Sequence, residues 1–185
     1  MIASDTLFSQ TIFKAICACL EISPNASSSS VLIRPAYHDP ENAPTMPRDQ
    51  NVIYYDVVPE DGEDANYQTV SDEDSQNYLA YPNVSLFLPF KLTIVCYGPD
   101  SSANAYKIRS FMFLDGSGYP RQILRVNGIY PVPKPPMPVS LREKDGAIWR
   151  YRSDVTISLR VKENLIGTKR RIIINQVPAV TIRRS

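Results

Sequence analysis

The sequence is short of the residues that usually carry chemistry. It has one histidine, three cysteines and seven glycines in 185 residues. The histidine, His38, stands beside Asp39 in a proline-containing stretch. Adjacency along the chain says little, because a nucleophile and its base meet in space; a surface histidine is the expectation. With so few glycines there is no phosphate-cradling loop, and Gly116-x-Gly118 reads as the end of a helix. Cys17, Cys19 and Cys96 are an odd number set in apolar surroundings, so buried free thiols in a reducing compartment are expected rather than a disulfide. Two cysteines spaced i, i+2 on a helix point roughly 200° apart, which is poor geometry for holding a metal. Asp72-Glu73-Asp74 lacks the glycine turn and distal glutamate of a calcium loop. These shortages argue against an enzyme, a cofactor and a metal centre.

Long apolar runs are missing too, so no bilayer-spanning helix is expected. Leu7 to Ile22 comes nearest, but Lys14 and Glu21 interrupt it and no basic segment precedes it. It reads as a core helix, not a signal peptide.

A chain of 185 residues with 43% hydrophobic content can bury roughly 70% of its unfolded surface in one core. Phe8, Ile12, Ile16, Cys19 and Leu20 recur at helical spacing, with Ser4 or Asp5 as the cap, and define an N-terminal helical segment, 1–23. Val31 to Arg34 reads as a short strand and Pro35 to Gln50 as a surface loop. Val52 to Val58 reads as a strand covered on both sides. From Val84 to Cys96 every even position is apolar, which makes one long strand with a single core face. Pro89, on the other face, implies a bulge or an edge. Asp100 or Ser101 then caps a helix that buries Ala105, Ile108 and Met112. A short strand is expected around Val126 to Tyr130. The segment 131–139 follows, with five prolines in Pro131 to Pro138 forcing an extended path that crosses the sheet edge or reaches a partner. Trp149 to Lys162 alternates: Trp149, Tyr151, Val155, Ile157, Leu159 and Val161 are expected in the core, with Arg150, Arg152, Arg160 and Lys162 on the opposite side. A last strand, Arg171 to Ile182, lies in a C-terminal arm, 168–185, with Pro178 marking an edge. The order gives an α+β fold in one domain, 1–185: a mostly antiparallel sheet with two helices on one face.

The net charge of +1 hides an uneven distribution. Asp56 to Asp74 holds eight acidic residues and no Lys or Arg, and an exposed acidic loop is expected over 59–76. From Ser140 onward eleven basic residues face four acidic ones, a net of +7. Such asymmetry marks either two solvated faces or two surfaces that meet between copies. The arginine side of 149–162, with Arg170 and Arg171, also allows a second reading, a nucleic-acid-binding module. Trp149 and Tyr151 on the apolar side cannot then stack beside those arginines, which weakens it.

Leu92-Thr-Ile-Val-Cys-Tyr-Gly-Pro99, followed by a helix with Ala103 and Ala105, resembles the strand-to-helix junction of bacteriophage neck and tail terminator proteins. Asn127-Gly-Ile-Tyr-Pro-Val132 resembles their next strand. Ala147 to Leu159, Ala-Ile-Trp-Arg-Tyr-Arg-Ser-Asp-Val-Thr-Ile-Ser-Leu, resembles their late strand with paired arginines. The likeness spans roughly Val31 to Leu165; the Pro-rich loop and the C-terminal strand are not mapped onto it. It implies a non-enzymatic virion protein of the neck, assembled in the host cytoplasm. It also implies a homo-oligomeric ring, usually a hexamer, that stops tail-tube growth and joins the tube to the head connector. The partners implied are other copies, the connector or head-completion protein and the tube protein. DNA passes through the lumen without being read; no cofactor and no membrane contact are expected. On this reading Glu60, Asp61, Glu63, Asp64, Asp72, Glu73 and Asp74 line the lumen or an inter-subunit surface, the lumen being favoured. Arg150, Arg152, Arg160, Lys162, Arg170 and Arg171 form an inter-subunit or partner face.

Overall fold

The computed structural model describes residues 5–25, 30–36, 49–60, 68–72, 82–113, 119–145 and 148–166. Helix α1 is Asp5–Cys19. Strands β1 (Val31–Pro35), β2 (Asn51–Pro59), β3 (Gln68–Asp72) and β4 (Pro82–Tyr97) follow. Then come helices α2 (Ser101–Phe113) and α3 (Tyr119–Val126) and strands β5 (Ile129–Pro131), β6 (Val139–Asp145) and β7 (Ile148–Ile166).

The α+β expectation holds. β4 and β7 form a long antiparallel ribbon, in register from Asn83 opposite Ile166 to Tyr97 opposite Arg152. β2 and β3 both pair with the free edge of β4, one beside each half, and β5 and β6 do the same on β7. The β1–β2 pairing is parallel and the other pairings are antiparallel.

The even positions of β4 face the helices as their spacing predicts. Phe90, Leu92, Ile94 and Cys96 are buried there with Val155, Ile157 and Leu159 of β7. Onto them pack Ile12, Ala15, Ile16 and Cys19 of α1, and Ala105, Ile108 and Met112 of α2. All three cysteines are free and buried. Burial pushes the thiols of Cys19 and Cys96 up to about 12, so both are neutral and unreactive at ordinary pH.

Several expectations need correction. A third helix, α3, occupies part of the stretch read as loop and strand. It is only two turns long, so it shows no readable period; Pro120 in its first turn costs no hydrogen bond, and Pro120 and Leu124 are its buried residues. Val126 therefore ends a helix, and the short strand starts at Ile129. Residues 68–72, inside the segment read as acidic loop, form β3. Val139–Asp145, rich in charge, forms β6, which the sequence did not announce. Pro89 does not place β4 at an edge: it falls in the gap between the end of β2 and β3. No ladder donor is lost there, and its carbonyl accepts a bond from Glu60 N–H at 3.0 Å. β2 is covered less evenly than expected, with Val52, Ile53 and Tyr55 buried but Val58 exposed. The C-terminal strand Arg171 to Ile182 lies outside the described residues.

α1 ends in a Schellman arrangement. Ile22 N–H donates to Cys17 O at 2.9 Å and Glu21 N–H to Ala18 O at 3.3 Å, with Glu21 in the left-handed region at φ 59°. The Pro-rich segment leaves β7 after Val132 N–H bonds Ser158 O and rejoins it at Val139, opposite Asp154. Arg109 of α2 holds it midway, its Nε donating to Pro136 O at 2.7 Å. It runs along the free edge of β7, from β5 to β6, rather than crossing it.

The turn from β4 into α2 is tight for a specific reason. Gly98 has φ 108°, and a Cβ there would lie 2.7 Å from Asn51 Oδ1 and 2.8 Å from Gln50 O. Asn51 reaches across to fix the turn, donating from Nδ2 to the Asp100 carboxylate (2.8 Å) and accepting Asp100 N–H (2.9 Å). Gly98→Ala is expected to cost about 2–4 kcal/mol, the sum of backbone strain and a contact with main chain that cannot yield. Denaturant unfolding measures it; a loss below about 1 kcal/mol would contradict this account of the turn.

Candidate assembly surfaces

The ribbon outruns the helix layer, and the sequence-predicted site residues lie beyond or beside that layer. At one end β3 carries the sheet on to Asp72, opposite Pro82. The acidic connection leaves the edge of β4 short of that end, where β2 stops at Pro59, opposite Phe90, and β3 resumes at Gln68, opposite Leu86. Glu60 follows the last residue of β2 and Asp72 ends β3, while Asp61, Glu63, Asp64, Glu73 and Asp74 lie outside the described residues.

At the other end β6 and β7 run on as a hairpin past the last β4 pair. Pairing continues from Leu141 opposite Arg152 to Asp145 opposite Ile148. Arg142, Lys144, Arg150 and Arg152 lie at this end, whereas Arg160 and Lys162 stand opposite Pro89 and Phe87, beside the point from which the acidic connection leaves.

The register sorts the hairpin's two faces, since directly paired residues of an antiparallel ladder share a face. On the helix-free face stand Arg150, Arg152, Arg160 and Lys162, as alternation predicts, together with Leu141 and Glu143 of β6. Arg170 and Arg171 lie outside the described residues. This face is not a bare cationic stripe. Arg152 makes a two-pronged bond to Asp154 (Nε–Oδ1 and Nη2–Oδ2, both 2.8 Å) and a third to Glu143 at 3.1 Å. The Tyr97 hydroxyl donates to the same Glu143 carboxylate at 2.8 Å, and the Arg152 guanidinium lies over the Tyr97 ring at 5.8 Å. Arg150 and Arg160 are engaged as well.

This cluster fastens the root of the hairpin to β4 from one side. From the other, the Ser140 hydroxyl meets the buried Ser153 at 3.0 Å and Ser102 of α2 at 3.4 Å. A two-stranded hairpin alone is marginal in water; pinned on both faces, this one projects as a rigid arm.

On the helix side the arm corrects the sequence reading. Trp149 and Tyr151 belong to the core-facing register, but the core ends at Ser153 and they are 61% and 57% exposed. β6 brings cations to them: Lys144 pairs with Trp149, and the Arg142 guanidinium sits 5.4 Å from the centre of the Tyr151 ring. Aromatic and basic side chains therefore do share a face, through a strand that β7 alone could not reveal. The signal in the sequence was length, because a 19-residue strand is longer than the core it crosses. Among the described residues no group of three His, Cys, Asp or Glu side chains converges as a metal site, and no helix is long and apolar enough to cross a membrane.

A family model of phage neck terminator proteins matches residues 10–183, nearly the whole chain. The chain belongs to this family. It is a structural protein of the bacteriophage neck, and the match reaches past the 31–165 span of the resemblance to take in the C-terminal arm. No curated protein matches it.

The Tyr97–Glu143–Arg152 cluster gives a pH signature. The Tyr97 hydroxyl bond, reinforced by Arg152, holds the Glu143 carboxyl below its ordinary value of 4.5. Burial first, then the bond to Glu143, pushes Tyr97 up to about 12. A depressed carboxyl stabilises the fold above its ordinary value and loses that contribution as pH falls below it; a raised phenol contributes below pH 10 and loses it toward 12. The cluster is thus whole from roughly pH 5 to 10. Tyr97→Phe should cost about 1 kcal/mol at pH 7, the low end for a charged partner because solvent reaches Glu143. The gap between wild-type and variant melting curves should narrow by pH 3. A gap of equal size at both pH values would contradict the assignment.

Proposed function

We propose that the chain forms a homo-oligomeric ring, of six copies, at the phage neck. The ring ends the growing tail tube and joins it to the connector below the head, and DNA passes through its lumen without base recognition. The observation that carries this reading is the family match over residues 10–183; the exposed aromatic and basic side chains of the β6–β7 hairpin and the acidic sequence between β2 and β3 are two different surfaces on one copy. A closed ring is built by a head-to-tail contact, which needs two different complementary surfaces on each copy. Opposite charge supplies specificity and steering for such a contact. The helix-free sheet face, with Tyr54 edge-on to Tyr97 and Phe87 against Tyr130, offers further half-buried area for the tube or connector proteins.

The second reading, a nucleic-acid-binding module, draws on the arm's aromatic and basic side chains. It is weakened by the neutral balance of the whole chain and by the carboxylates that already engage Arg152. Phosphate-driven binding would fall steeply with salt.

Negative-stain images of the purified protein, with antibody labelling of intact particles, test the proposal. Rings in solution and a single label at the head–tail junction are expected. Particles without the chain, or with it spread along the tail, would overturn it.

A further inference from the structure

The Pro-rich segment between β5 and β6 is longer than the sheet requires. Val132 N–H bonds Ser158 O and Val139 stands opposite Asp154, so the chain takes seven residue steps where β7 takes four. A continuous edge strand would need three residues fewer over the same stretch. Four of the seven residues from Val132 to Pro138 are prolines, which give no N–H and hold an extended path. The N–H groups of Val132 and Lys134 are already bonded, to Ser158 O and to Val132 O. The resulting bow is fixed rather than loose, since Arg109 Nε donates to Pro136 O at 2.7 Å and both ends are held on β7. Pro133, Lys134, Pro135 and Met137 are exposed along it.

We propose that residues 132–138 are a preformed ligand for a different virion protein at the neck, seated in a groove of that protein lined by aromatic side chains and flanked by carboxylates. The inference rests on the joining role proposed above and deepens it, since it says which element reaches the neighbour. An extended proline segment has little freedom left to lose on binding, and its flat rings pack on aromatic side chains. Its carbonyls accept from the indole and hydroxyl donors that such grooves present. Lys134, in the middle of the exposed run, sets the charge of the partner, because a cation there is matched by carboxylates beside the rings. A second copy of this chain fits less well. The paired rings it exposes, Trp149 and Tyr151, stand beside Arg142 and Lys144, so Lys134 would meet like charge.

The test uses phage that lack their own copy and are supplied with the full-length chain or a variant of it. Pro133→Ser with Pro135→Ser and Met137→Ser alters exposed side chains alone and leaves Pro136 on Arg109. This variant should match wild type in melting and in oligomeric state. It should nevertheless join heads to tails at least about tenfold less often, as counted in electron micrographs. A synthetic peptide of residues 131–139, added in excess to separated wild-type heads and tails, should lower joining. The same peptide with serine at positions 133, 135 and 137 should not. Joining at the wild-type level by the folded variant, or two peptides that act alike, would overturn the assignment. Loss of the oligomer in a folded variant would overturn it as well, because the segment would then be meeting another copy. If the variant melts early, the peptide pair decides alone. Wild-type particles without the chain at the neck sink the joining role itself, whereas a neck label with joining indifferent to the segment sinks this inference and leaves that role standing.

Discussion

Everything in this structure is registered on the β4–β7 ribbon. Its ladder, from Asn83–Ile166 to Tyr97–Arg152, sets which residues of every other strand face the helices. A slip of one residue would turn Leu92, Ile94, Val155 and Ile157 outward, so the buried face locks the register along the whole length. Two features follow from that lock. The core forms only where helices cover the ribbon, and both ends of the ribbon extend beyond it as fixed platforms.

The ends are unlike. At one end the sheet finishes with β3, β4 and β7, and the β2–β3 connection, which the sequence makes strongly acidic, leaves its edge short of that point. At the other a two-stranded arm carries aromatic and basic side chains, held by Tyr97, Glu143, Arg152 and Asp154 on one face and by Ser140 and Ser153 on the other. A structural protein of the phage neck acts through contact with other virion proteins. The scarcity of histidine and of glycine loops and the inert, buried thiols agree with that role.

Much of the fold was legible in the sequence. The even positions from Val84 to Cys96 and the odd positions from Val155 to Leu159 are strict period-2 patterns, and α1 and α2 show clear helical spacing. α3 was hidden because two turns are too few for a period, and β3 and β6 because they are short and polar. The misreading of Trp149 and Tyr151 is more instructive. Alternation reports which face a residue takes, but not whether anything lies above that face. They have the core register without the core. The pairing of Arg142 and Lys144 with these aromatic residues depends on a partner strand nine or fewer residues away in sequence whose own pattern is too charged to announce itself. Tyr97 was equally hidden, since its role arises only where β4 and β6 meet on opposite sides of Arg152.

The central claim is that the register of the β4–β7 ribbon carries the β6–β7 hairpin beyond the core as a fixed arm. The most direct measurement is amide hydrogen exchange along β6 and the start of β7. The account predicts that the paired amides from Leu141 to Lys144 and from Trp149 to Arg152 exchange far more slowly than in an unfolded peptide. Exchange there at the unfolded rate would contradict it.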